Sequence, residues 1–181
     1  MAKKIKNALI VVTGLLLHLS FFGQNGMVEK EKSSFADRLF FGGNVNVNFG
    51  NVTILGATPV IGYRINEKLS AGIGGTYVYY AGNIPGYGDF STSLYGGNVF
   101  ARYRITDEIF LQSEYHQINT EVWQFSEFRR LWVPMAYVGG GYRVPLGRNS
   151  GLLMMVLYDL IGDPNSPYSN PMITGGFVFG N

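Results

Sequence analysis

The sequence predicts an all-β chain whose strands close into an eight-stranded antiparallel up-and-down barrel. Three observations carry this. Apolar and polar side chains alternate with a period of two over segment after segment, which is a strand signal. Glycine (25), tyrosine (12) and phenylalanine (13) are abundant in 181 residues, which favours pleated, tightly packed structure over helix. A strand–turn–strand unit also returns at a spacing of roughly 40 residues.

That unit shows in three rhyming segments: Ile61-Gly62-Tyr63-Arg64-Ile65, Ala101-Arg102-Tyr103-Arg104-Ile105 and Gly141-Tyr142-Arg143-Val144. Each is followed by a polar turn, at 66–68, 106–108 and 145–150, and then by a new β-compatible run. From Leu39 the odd positions are Phe41, Val45, Val47 and Phe49, opposite Asn44, Asn46 and Asn48. Ile73, Tyr77 and Tyr79 oppose Gly72, Gly74 and Thr76 in the same way. A three-residue loop at 106–108 would pair Ile105 with Ile109, Arg104 with Phe110 and Arg102 with Gln112, keeping like faces together. The expected strands are 39–49, 53–65, 69–80, 94–105, 109–118, 131–144, 151–161 and 172–179, the seventh with its phase unsettled. The glycine clusters 72–75 and 139–141 fall mid-strand with no following helix. They therefore read as curvature, or room for a neighbour's aromatic ring, and not as phosphate loops.

The first residues form a separate signal. Lys3, Lys4 and Lys6 precede an apolar run from Ala8 to Phe22, the pattern of a secretory signal peptide over 1–23. A periplasmic arm at 24–38 and the barrel at 39–181 follow. Removing the leader takes away three lysines and no acid, so 14 basic against 12 acidic residues becomes a net charge of about −1. Nucleic-acid binding then has no electrostatic motive. The absence of cysteine excludes thiolate metal sites, disulfides and cysteine nucleophiles.

Charged residues are only 14% of the chain, while 46% are hydrophobic. A soluble barrel would present Lys and Glu outward, but the polar face here is mostly Asn, Gly, Ser and Thr. Small polar groups suit the narrow lumen of an eight-stranded barrel, and the apolar face suits lipid. Tyr63, Tyr103 and Tyr142 would form one interfacial ring beside the short turns. The expectation is a transmembrane barrel in the outer membrane, with outer loops at 81–93, 119–130 and 162–171 longer than the turns. The loop at 50–52 is the short exception.

The leader, the Gly-Tyr-Arg strand ends and the late Phe177-Val178-Phe179 resemble the small outer-membrane β-barrel proteins of Gram-negative bacteria. The resemblance covers 39–181 as a pattern of strands. It implies an aromatic C-terminal cue for the assembly machinery, from which Gly180 and Asn181 depart. Similar short barrels are sometimes named α-ketoglutarate decarboxylase. No thiamine site or facial iron triad supports that chemistry here.

Two groups of candidate residues stand out. Asn98, Arg102, Arg104, Glu114, His116 and Arg143 project into the lumen as a polar network, with Arg102 diagonal to Glu114 and Asp159 an uncertain member. Such a network neutralises charge inside a closed barrel, or lines a proton or ion path. Tyr87, Phe90, Trp123, Phe125, Phe128 and Tyr168 sit on outer loops as a partner-binding surface, or extend the strands and girdle. No catalytic or metal residues and no cofactor are expected. Ser113 lies on the opposite face from Glu114 and His116, and a single histidine outside the leader is a poor metal set. The expected function is non-enzymatic: a structural or interaction module, an accessory subunit touching outer-membrane lipid and a larger protein complex. The alternatives are a lipid-modifying enzyme using His116 with Glu114, a narrow solute conduit, and a soluble lipocalin-like lipid-binding barrel.

Overall fold

The computed structural model describes residues 35–49, 52–84, 88–124, 127–147 and 150–180. A 3-10 turn at Phe35–Arg38 leads into β1 (Leu39–Asn48), β2 (Val52–Arg64), β3 (Leu69–Ile84) and β4 (Gly88–Arg104). β5 (Ile109–Gln124), β6 (Glu127–Pro145), β7 (Ser150–Asp159) and β8 (Met172–Phe179) complete a closed antiparallel barrel in chain order. The expected leader at 1–23 lies outside the described residues, as does the expected arm at 24–38 except for its last four residues, which form the 3-10 turn.

The short turns set the register. The Asn66 carboxamide oxygen accepts from the backbone N–H of Lys68 and Leu69 (2.9 and 2.8 Å). The Thr106 hydroxyl does the same for Glu108 and Ile109 (3.3 and 2.9 Å). Each short polar side chain thus replaces a backbone partner within its turn. Ile65 N–H then bonds Leu69 and Ile105 N–H bonds Ile109, both at 2.9 Å. Arg102 sits opposite Gln112 and Arg104 opposite Phe110, as the sequence implies.

The other end differs from expectation. β3 and β4 pair as far as Ile84 with Gly88, and β5 and β6 as far as Gln124 with Glu127. The expected loops 81–93 and 119–130 are therefore mostly strand. A hairpin continues wherever both chains satisfy each other's backbone groups, whether or not side chains alternate.

The lumen is also greasier than a face of Asn, Gly, Ser and Thr would make it. Phe40, Leu94, Phe100, Phe110, Ile118, Val133, Met135, Tyr137 and Leu157 are buried inside it. Glycines make room for the rings: a Cβ on Gly62 would lie 2.1 Å from the Phe40 ring, and one on Gly72 2.6 Å from that of Phe100. β7 is apolar on both faces, which is why its phase was not legible. Leu153, Met155, Leu157 and Asp159 point in, while Leu152, Met154, Val156 and Tyr158 are exposed. Outside, Phe41, Val45, Ile61, Ile73, Val99, Leu111, Val138 and Ile173 extend the apolar surface around all the strands.

Candidate functional site

Alternation on β4 and β5 aims Asn98, Arg102, Gln112, Glu114 and His116 at one lumenal wall. The Arg102 Nε donates to Gln112 Oε1 (2.6 Å), and Gln112 in turn donates to Glu114. Glu114 also pairs with the His116 imidazole and accepts from the Asn98 amide at 3.5 Å. Glu114 and His116 side chains are each 8% exposed. Phe110 and Phe100 hold the Arg102 guanidinium, 4.7 and 5.6 Å from their ring centroids. Tyr137 packs edge-on against His116 at 5.2 Å.

This is one connected network for Asn98, Arg102, Glu114 and His116. Gln112 is the link that the sequence reading passed over, although it lies on the same period-two face. A cavity of 380 Å³ adjoins the network, lined also by Thr58, Thr76 and Tyr168. Ser113 faces the other way and cannot serve His116 as a nucleophile. Among the described residues no three His, Cys, Asp or Glu side chains gather as a metal set.

Arg104 and Arg143 belong elsewhere, at the mouth beside the short turns. Alternation sends the tyrosine of each repeat outward and the following arginine inward, so Arg64 joins them. Arg64 donates to the Gly180 carbonyl (3.1 Å), Arg143 to that of Ser150 (3.3 Å) and Arg104 to that of Glu67. Asp107 is 3.8 Å from Arg104, but its side chain is 91% exposed.

The opposite end is stoppered by the segment 160–171. Asp159, at the end of β7, accepts from the backbone N–H of Ala136 and Ile161 (both 3.0 Å) and of Gly162 (3.2 Å). Asn170 ties the segment's return, accepting from Asp159 N–H and donating to its carbonyl, each at 3.0 Å. Tyr168 consequently folds in against the core and is not an exposed loop aromatic. Burial, with Tyr80 nearby, pushes its hydroxyl up to about 12.

Phe90 lies within β4, Trp123 within β5 and Phe128 within β6, so none is a loop residue. Tyr87 and Phe125 fall outside the described residues. The exposed aromatic surface at this end is a strand rim. Phe128 stands out there, and the Tyr95 and Trp132 rings meet edge-on at 6.0 Å. Arg130 lies 5.1 Å over Tyr95 while bonding Asn119 (2.7 Å) and the Ser93 carbonyl (2.6 Å).

No family model matches the chain, and no curated protein matches it. The functional reading therefore rests on this geometry.

Proposed function

We propose that this protein is a non-enzymatic barrel of the outer membrane, acting as an interaction module within a larger membrane assembly. The observation that carries the reading is the contrast between its two surfaces: an apolar belt outside and a packed lumen within. Soluble monomers rarely expose a contiguous apolar patch above roughly 300–600 Å². A belt around eight strands needs lipid or protein against it. Apart from β8, with 8 residues, the strands run from 10 to 19 residues, and a tilted membrane strand needs about 9–11. Conduction is disfavoured, because Ile118, Met135, Tyr137 and Leu157 occupy the lumen with almost no exposed surface. The partner-facing candidates are Phe128 and Arg129 on the raised rim of the β5–β6 hairpin, both exposed.

Fractionation of expressing cells, then electrophoresis of boiled and unboiled samples, tests the membrane reading. Outer-membrane recovery with a heat-dependent mobility shift is the expected result. Recovery as a soluble periplasmic protein would overturn it.

A second reading has one observation in its favour, the buried Glu114–His116 pair beside the cavity. As the base of a lipid-modifying enzyme, His116 would be indispensable. A His116→Gln protein that leaves the lipid profile of the membrane unchanged removes that reading.

A further inference from the structure

The three repeats that mark the sequence converge in space on a feature that the interaction reading does not use. Arg64, Arg104 and Arg143 come from β2, β4 and β6 and line one cavity of 230 Å³ at the turn-side mouth, with Arg102 deeper in its wall. Their backbones are pinned from turn to turn: Arg104 N–H bonds the Lys68 carbonyl at 2.8 Å, and Arg143 N–H bonds that of Glu108 at 2.7 Å.

The acidic side chains at this mouth are outnumbered by the cationic ones. Arg64, Arg104 and Arg143 each donate to a backbone carbonyl, which orients a guanidinium and leaves its charge in place. Among the described residues the cavity is lined by five cationic side chains and three acidic ones, Glu67, Asp107 and Glu108. Asp107 projects into solvent, where its pairing with Arg104 is screened. Glu108 is turned toward the Thr106 hydroxyl, 3.4 Å away. Arg64 meanwhile feels the like charges of Arg104 and Arg143. Gathered in a concave mouth, the lining carries two more cationic than acidic side chains among the described residues, a net positive field.

We propose that this mouth binds a small oxyanion of the phosphate class, clamped between the guanidiniums of Arg64, Arg104 and Arg143. Bound there, it relieves their mutual repulsion and receives planar charge-assisted hydrogen bonds from several strands at once. Two sources share this chemistry, dissolved phosphate and the phosphodiester of an anionic lipid.

Phosphorus NMR of inorganic phosphate titrated into the full-length, detergent-folded protein tests it, with heat-dependent mobility as the check of folding. Saturable binding is expected, weakened about tenfold for each guanidinium removed in Arg104→Gln and Arg143→Gln. Arg104→Lys should retain most of it, because the charge stays. If Arg143→Gln does not fold, the more exposed Arg104 carries the test alone. Repeating the titration in nanodiscs separates the sources. Equal affinity in phosphatidylcholine and phosphatidylglycerol discs assigns the site to free phosphate, whereas loss only in phosphatidylglycerol assigns it to lipid. No saturable binding, or binding unchanged in folded Arg104→Gln, overturns the proposal.

Discussion

Two seams of the barrel are built very differently. β5 and β6 pair without a break from Ile109–Tyr142 to Gln124–Glu127, sixteen pairs joined by one hairpin. β1 and β8, which must meet to close the barrel, pair only through Phe41, Gly42 and Gly43 with Phe179, Val178 and Phe177. The lumen is also uneven. Ile118, Val133, Met135, Tyr137 and Leu157 fill it on the β5–β7 side, while the 380 Å³ cavity reaches from Glu114 and His116 across to Asn44, Thr58, Thr174 and Gly176.

The difference teaches where closure is hard. A hairpin pairs residues close in sequence, whereas β1–β8 pairing must order nearly the whole chain first. The seam relies on small residues for its close approach. A Cβ on Gly42 would stand 2.5 Å from the Phe177 carbonyl and one on Gly176 2.6 Å from that of Gly43, whose own φ is +145°. Beyond Gly43 and Phe177 no further β1–β8 pairs form among the described residues, and Ile173 is 79% exposed.

The largest expected effect is on the filled side. Tyr137→Ala should lower stability by about 3–5 kcal/mol, as emptying a large buried site does. It should lose its unboiled folded band at a much lower temperature than the parent protein. Thr174→Ala, on the hollow side, should shift that temperature little. Equal losses would erase the contrast. Gly43→Ala comes next, at about 2 kcal/mol from strain and displaced backbone. A cysteine pair cross-linked across the seam, at Phe41 and Phe179, should then form more slowly, and an unchanged rate would mean that the seam tolerates the side chain.

Asp159→Ala should release the segment 160–171 by removing the acceptor of three backbone N–H groups, at about 1–3 kcal/mol. Faster amide exchange over 160–171, with the β5–β6 hairpin unchanged, is the measurement. The smallest effect belongs to Phe128→Ala. As an exposed rim residue it should change stability by under about 0.5 kcal/mol, and any loss would appear in co-purification of partners.

Local rules made the turn side legible. Asn66 and Thr106 each anchor a short turn, and the period of two carries the pairing outward from there, so Arg102 opposite Gln112 was readable in advance. At the other end the strands run on through Gly82, Asn83, Ser91 and Thr92, residues with no apolar rhythm. Their pairing is imposed by the partner strand and not by their own pattern. The lumenal core was obscured similarly. Polar neighbours on the same strands disguised Val78, Leu94, Phe100 and Phe110 as members of a hydrophilic face. Of the candidate site, Glu114 and His116 were readable because they share a face two residues apart. Tyr168 was not, because what folds it inward is the Asp159–Asn170 tie eleven residues across.

β7 offers the most direct test, because it is apolar on both faces and only the environment distinguishes them. Nitroxide labels placed singly at Leu152, Leu153, Met154, Met155 and Val156, in the protein reconstituted into bilayers, would report collision with dissolved oxygen and with a water-soluble relaxant. Oxygen access should alternate, high at 152, 154 and 156 and low at 153 and 155, with the relaxant excluded from the outer three. Ready access of the relaxant to 152, 154 and 156 would contradict a lipid-facing wall.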